Sequence, residues 1–229
     1  MSEESYPSVI GKINHLASQR EKPVCLIAVS KTKPKEAIQH LYNVYNHRVF
    51  GENYIQELHE KATELEEVCP DIEWHFIGRL QSNKLKLLVS TPHLKCVQTV
   101  HSIEIAEKLN KACINANKTI DVMVQINSSG EEQKGGVSVE EAISVVKEVM
   151  KCSNLHFIGI MTIGMVGDSK KNFTTMKQLA DTICSQEHLG SIEISMGMSS
   201  DYEQAIELGA TMVRVGTALF GARDYSKHQ

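Results

Sequence analysis

Eight short runs rich in apolar and β-branched residues recur along the chain, and each is separated from the next by a stretch too long for a hairpin. They are VCLIAVS (24–30), RVFGEN (48–53), EWHFIG (73–78), KCVQTV (95–100), IDVMVQI (120–126), LHFIGIM (155–161), SIEISMG (191–197) and MVRVG (212–216). Most of the intervening stretches carry helical period or helix-starting chemistry. Ile55, Leu58, Ala62 and Leu65 share one face of a helix over 53–68. Pro34 opens a helix over 34–45, Ser102 is placed to cap one over 101–116, and the S-V-E-E sequence at 138–141 forms a capping box for one over 138–150. Helices over 168–188 and 200–208 complete the alternation. Strands spaced in this way pair in parallel, and eight such units close into an α/β fold, a (β/α)8 barrel of the TIM type. Only 13 residues follow the last run, too few for a full final helix. A helix over 8–20, with Val9, Ile13, Leu16 and Ala17 at helical spacing, is expected to complete the outer ring instead. An open doubly wound sheet ranks second, because its usual G-x-G-x-x-G turn is missing.

One barrel uses nearly all of the 229 residues, so a single domain over 1–229 is expected. The net charge is -4, with 24 basic against 28 acidic side chains, and aromatics make up 5%. That balance excludes a broad nucleic-acid footprint and an aromatic stacking platform. The longest apolar run, Val24 to Val29, is far short of a membrane span. The first residues are acidic and lack an apolar or Arg-rich leader pattern, which points to the cytoplasm. The six cysteines are never closer than 17 residues, and neither C-x-x-C nor H-E-x-x-H occurs. Free thiols and no metal site are expected.

In such barrels chemistry sits where strands run into the following loops. Those ends carry Lys31, Asn53, Gly78-Arg79, His101-Ser102, Asn127, Met161-Thr162, Met198-Ser199-Ser200 and Arg214-Gly216-Thr217, a polar rim on an apolar barrel. Lys31 shares strand parity with Cys25, Ile27 and Val29, so an inward face brings its amine into the mouth. Desolvation there favours the neutral amine, which attacks aldehydes to form a Schiff base. The competing reading is a lysine snorkelling to solvent. Lys33 precedes Pro34 and is expected above the mouth, solvated. The turns SMGMSSD (195–201) and VRVGT (213–217) offer backbone N–H groups with Ser and Thr hydroxyls, the makings of a phosphate cradle. Plain turn and capping chemistry is the bland alternative. Arg214 shares a face with Met212 and Gly216 and, if inward, needs an acceptor, either a structural ion pair or a ligand atom. His75, within a strand, reads as a satisfied barrel histidine. The Gly/Ser-rich segment 127–137 is a candidate mobile loop.

Five blocks in one order add to this reading: AVSKTKP (28–34), FGENYIQE (50–57), WHFIGRLQSNK (74–84), GMSSDYEQAI (197–206) and TMVRVGTALFGARDY (211–225). From about residue 8 to 225 the chain resembles the pyridoxal phosphate homeostasis protein family. The resemblance implies a single barrel like the N-terminal domain of alanine racemase, a fold-type III protein of pyridoxal 5'-phosphate (PLP). It implies that Lys31 carries PLP as an internal aldimine, with Asn53 beside the cofactor. Ser199, Ser200, Gly216 and Thr217 would hold the phosphate, and Arg214 would hydrogen-bond the pyridine nitrogen. Arginine cannot readily give up a proton, which weakens PLP as an electron sink. A racemase of this fold also takes an opposing tyrosine from a second domain, for which these 229 residues leave no room. The implied function is a monomeric PLP carrier or buffer in vitamin B6 homeostasis, passing PLP to apo-enzymes, without turnover. A PLP-dependent racemase or decarboxylase is the alternative. Lys33, Lys84 and Lys134 are open as a second PLP site.

Overall fold

The computed structural model describes residues 5–130, 135–164 and 168–221. Its strands are β1 (Cys25–Val29), β2 (Val49–Glu52), β3 (Glu73–Phe76), β4 (Leu94–Val100), β5 (Ile120–Asn127), β6 (Val137–Ser138), β7 (Leu155–Met161), β8 (Glu193–Ser195) and β9 (Met212–Val215). Eight of them form one closed parallel ring in the order β1-β2-β3-β4-β5-β7-β8-β9. Cys25 lies opposite Met212 where β9 returns to β1, and Cys96 lies opposite Asp121 between β4 and β5. The expected barrel is therefore present. The short β6 is an adjunct on the end of β5, pairing Val137 with Ile126.

Strand alternation sorts the apolar side chains into two layers. Ile27, Val29, Ile77, Cys96, Met123, Met161 and Met212 fill the interior. Leu26, Ala28, Phe50, Trp74 and Phe76 point outward beneath the helices. The helices are α1 (Tyr6–Ala17), α2 (Lys35–Tyr45), α3 (Ile55–Leu65), α4 (Leu85–Ser90), α5 (Ile103–Asn115), α6 (Ala142–Met150), α7 (Ser169–Gln186), α8 (Tyr202–Glu207) and α9 (Thr217–Phe220). The first helix packs against α8 and α9, closing the outer ring as expected. Lys12 pairs with Glu203 at 3.2 Å, and Arg20 Nη1 donates to the carbonyls of Ile206 (2.9 Å) and Ala210 (2.5 Å).

Two local expectations change. The Ser138–Glu141 box forms, with Ser138 Oγ donating to Glu141 Oε2 at 2.7 Å and accepting the Glu141 N–H at 3.3 Å. It closes a turn ahead of α6 rather than the helix itself, because Ser138 is drawn into the β5 pairing. The helix α4, with a 3-10 turn over Ser82–Lys84 before it, has no counterpart in the sequence reading. At six residues it repeats the helical period too few times to register.

Candidate active-site cavity

Lys31 follows β1 directly. The Lys33 N–H donates to the Ser30 carbonyl at 3.0 Å, closing a four-residue turn around it, and Thr32 takes the left-handed region at φ 62°. With Ile27 and Val29 facing the barrel interior, the side chain of Lys31 continues that face into the mouth. There it lines a cavity of about 290 Å³, near the lower bound for a small-molecule site. All the residues singled out from the strand ends for this site meet in the cavity: Lys31, Asn53, Ser199, Ser200, Arg214, Gly216 and Thr217. Val29, Ile77 and Met161 supply its apolar floor. Lys33 corrects the sequence reading: it is half-buried, lines the same cavity, and its Nζ donates to the Phe220 carbonyl at 2.7 Å.

The Ser/Gly end is held from behind. Ser199 Oγ accepts the N–H groups of Gly216 (3.2 Å) and Ala218 (3.3 Å), at the start of α9. Asp201 accepts the Met198 N–H at 2.8 Å and the Ser169 hydroxyl at 2.7 Å. Gly197 adopts φ 92°, and a Cβ there would come within 2.5 Å of Ala205 Cβ, so the β8 turn lies flat on α8.

Arg214 is buried inside the barrel. Its Nη1 donates to Ser195 Oγ and its Nη2 to the Thr162 carbonyl, both at 2.8 Å. Both acceptors are uncharged, so the structural ion pair that sequence reading allowed is not what holds it. Burial brings its pKa down to about 10, with the field of Asp201 opposing. The chain of bonds continues inward: Ser195 Oγ donates to Gln98 Oε1 (2.6 Å), and Gln98 Nε2 donates to His75 Nδ1 (2.9 Å). Burial lowers the His75 pKa to about 4, which matches an imidazole that accepts at Nδ1. Gln98 escaped the sequence reading. Its signal was present, since it shares strand parity with the interior residue Cys96.

Asn53 Oδ1 is buried beside the cavity without a hydrogen-bond partner among the described residues. An orphaned acceptor there calls for a donor from outside the chain. Lys84 lines a separate cavity of about 270 Å³ with Arg79 and Gln81, which also reaches Asn53. Lys134 lies outside the described residues, as does most of the loop tip after Gly130. All six cysteines are free, and no cluster of three metal-type ligands occurs among the described residues. No described helix is long and apolar enough to cross a membrane.

The donor set suits PLP: an amine for an aldehyde, a buried guanidinium for an aromatic nitrogen, and hydroxyl and N–H groups for a phosphate. Known proteins agree with that fit. Residues 10–224 match the family model of the alanine racemase N-terminal domain. The pyridoxal phosphate homeostasis protein of Homo sapiens is 42% identical over 214 residues, covering 88% of this chain and 78% of that protein. Its counterpart in Pasteurella multocida is 39% identical, covering 98% of this chain and 99% of that one. Among solved structures, PipY of Synechococcus elongatus with PLP bound superposes with a TM-score of 0.80 at 32% identity, covering 93% of this chain and 100% of that one. Alanine racemase of Clostridium difficile, at 17% identity and TM-score 0.72, shares the fold over 58% of its length. Barrel, cavity and sequence agree: the chain belongs to the pyridoxal phosphate homeostasis protein family.

Proposed function

We propose that this chain holds PLP in the cavity, with the cofactor bonded to Lys31 Nζ, and serves intracellular PLP homeostasis as a carrier or buffer. The observation that carries the reading is the convergence of Lys31, the buried Arg214 and the Ser199–Ser200/Gly216–Thr217 turn on one small cavity. PLP supplies an electrophilic aldehyde on an electron-poor ring. The Lys31 amine condenses with that aldehyde, forming a C=N bond and releasing water. Asn53 and Arg214 orient the ring, and the hydroxyl and N–H groups of the two turns take the phosphate.

Holding is favoured over turnover. Apart from Lys31, the described residues lining the cavity include no tyrosine, histidine, cysteine or carboxylate to act as an opposing acid or base, and Lys33 is engaged with Phe220. Arg214 keeps its proton at neutral pH, so it leaves the ring nitrogen a hydrogen-bonded acceptor and a weak electron sink. The relatives are themselves named as homeostasis proteins. Apo PLP-dependent enzymes are the proposed recipients. The protein is proposed to act as a monomer.

The test is an absorbance spectrum before and after borohydride, with peptide mapping. The expected result is a visible band, fixed on Lys31 by reduction and absent from Lys31→Ala. A Lys31→Ala protein with the same band overturns the attachment. PLP passing to an apo-enzyme no faster than free PLP overturns the carrier role, and turnover in a broad amino-acid screen overturns holding without catalysis.

A further inference from the structure

A buried ionic cluster on the outer side of the barrel grips the backbone on both sides of Lys31. Lys61 Nζ, on α3, donates to the Ser30 carbonyl at 2.8 Å, and to Glu52 Oε1 and Glu57 Oε1 at 2.7 Å each. Glu57 Oε1 also accepts the Thr32 N–H at 2.6 Å. Ser30 Oγ donates to Glu52 Oε1 at 2.7 Å. The carbonyl before Lys31 and the N–H after it are thus tied to one lysine–glutamate pair a single helical turn apart on α3.

The cluster makes poor sense as a device for stability. Two carboxylates and one ammonium are largely withdrawn from water, with the Glu52 side chain fully buried and that of Lys61 11% exposed. Well-packed apolar residues in place of such a group are often neutral or stabilising. What the cluster does fix is the turn. Thr32 is β-branched and left-handed, a strained conformation that persists only where neighbours over-determine it. The Lys33 N–H to Ser30 carbonyl bond closes the turn from within, and Glu57 and Lys61 add the bonds that hold it from outside. Loss of the outside bonds is expected to let Thr32 relax toward negative φ and to shift Lys31 from the inward face it inherits from β1.

We infer that Glu57 and Lys61, neither of which lines the cavity, are positioning residues that hold the strained Ser30–Lys33 turn so that the Lys31 amine meets its aldehyde in bonding geometry. This deepens the reading of Lys31 as the attachment point and rests on it.

Glu57 is the residue to vary first, because its side chain is 23% exposed and alanine is at home in the first turn of a helix. Glu57→Gln keeps an acceptor for the Thr32 N–H, whereas Glu57→Ala removes it. PLP is mixed with each full-length protein, and attachment at Lys31 is followed by borohydride quench and peptide mapping, with the melting temperature measured alongside. Glu57→Ala is expected to attach PLP about tenfold more slowly or worse, and Glu57→Gln within about threefold of wild type, as a misplaced reacting group predicts. Lys61→Met, which frees the Ser30 carbonyl and keeps the chain length, is expected to slow attachment as Glu57→Ala does, and it carries the test if Glu57→Ala does not fold. Wild-type rates in Glu57→Ala and Lys61→Met overturn the inference. So does a Glu57→Gln rate as low as that of Glu57→Ala, which would tie the effect to charge rather than to the grip on the peptide. A wild-type label on a lysine other than Lys31 overturns the attachment reading and this inference together. A wild-type label on Lys31 with unchanged variant rates overturns this inference alone.

Discussion

A Cβ on Gly78 would lie 1.8 Å from the carbonyl oxygen of Asn53 and 2.7 Å from its Cα. The loop after β3 therefore runs in backbone contact with the residue that presents an orphaned amide oxygen beside the cavity. Thr99 Oγ1 holds the other side of this loop, donating to the Gly78 carbonyl at 2.6 Å. Neither backbone has a soft side chain to yield, so the contact sets the depth of Asn53 in the mouth. Gly78→Ala is expected to cost about 1–3 kcal/mol, the range for overpacking, and to weaken PLP binding through Asn53. Urea unfolding of the apo-protein and a PLP titration check the two effects. If Gly78→Ala binds PLP as wild type does, Asn53 is not set by this contact.

Arg214 separates binding from stability. Its charge is buried against the uncharged acceptors Ser195 Oγ and the Thr162 carbonyl. An isolated buried charge is costly, and under the proposed function a ligand ring nitrogen would give it a further acceptor. Arg214→Met is expected to leave the apo-protein within about 1 kcal/mol of wild type, or more stable, while PLP affinity falls clearly. Denaturant midpoints of the apo-proteins set beside PLP titrations show which holds. A large loss of apo stability would mean that the guanidinium is structural.

The Ser199 hydroxyl stands between the N–H groups of Gly216 and Ala218 and the cavity. If this turn takes the phosphate, its loss should matter only to ligands that carry one. Ser199→Ala is expected to weaken PLP binding while leaving pyridoxal binding nearly unchanged, and to cost the apo-protein about 1 kcal/mol as a lost cap. Equal loss for the two ligands would place the phosphate elsewhere.

The sequence made the barrel legible because its signals repeat. Eight strand-like runs recur with seven crossover-length stretches between them, and parity alone places Lys31 on the inward face with Ile27 and Val29. The cavity residues were legible because barrel chemistry gathers at one end of the strands. What stayed hidden depends on contacts between distant segments. Nothing local marks Lys61 and Glu57 as partners of the Lys31 turn, since both read as the polar side of a surface helix. The left-handed Thr32 runs against residue preference. Lys33, expected above the mouth because it precedes Pro34, is instead captured by the Phe220 carbonyl of α9, an element too short to show a period.

The buried histidines give the fold a signature in pH. His75 accepts from Gln98 within the barrel, and His47 accepts the Tyr6 hydroxyl at Nδ1 (2.9 Å) while donating from Nε2 to the Val49 carbonyl (2.7 Å). Burial lowers both pKa values from 6.5 to about 4. The unfolded chain thus binds protons at these positions between pH 6.5 and 4 where the folded protein does not, so stability rises with pH across that window and is lost on acidification. Glu52 acts in the opposite sense. Burial raises its pKa from 4.5 to about 7, so the folded state holds its proton over that interval and stability falls as pH rises through it. Between pH 4.5 and 6.5 Glu52 offsets one of the two histidines. His75→Gln retains an acceptor for Gln98 and removes the titration, and is expected to flatten the stability profile by about 1.4 kcal/mol per pH unit across the His75 window. Urea midpoints of wild type and His75→Gln at pH 4.5, 5.5, 6.5 and 7.5 decide the matter, because parallel profiles would mean that His75 does not stay neutral within the fold.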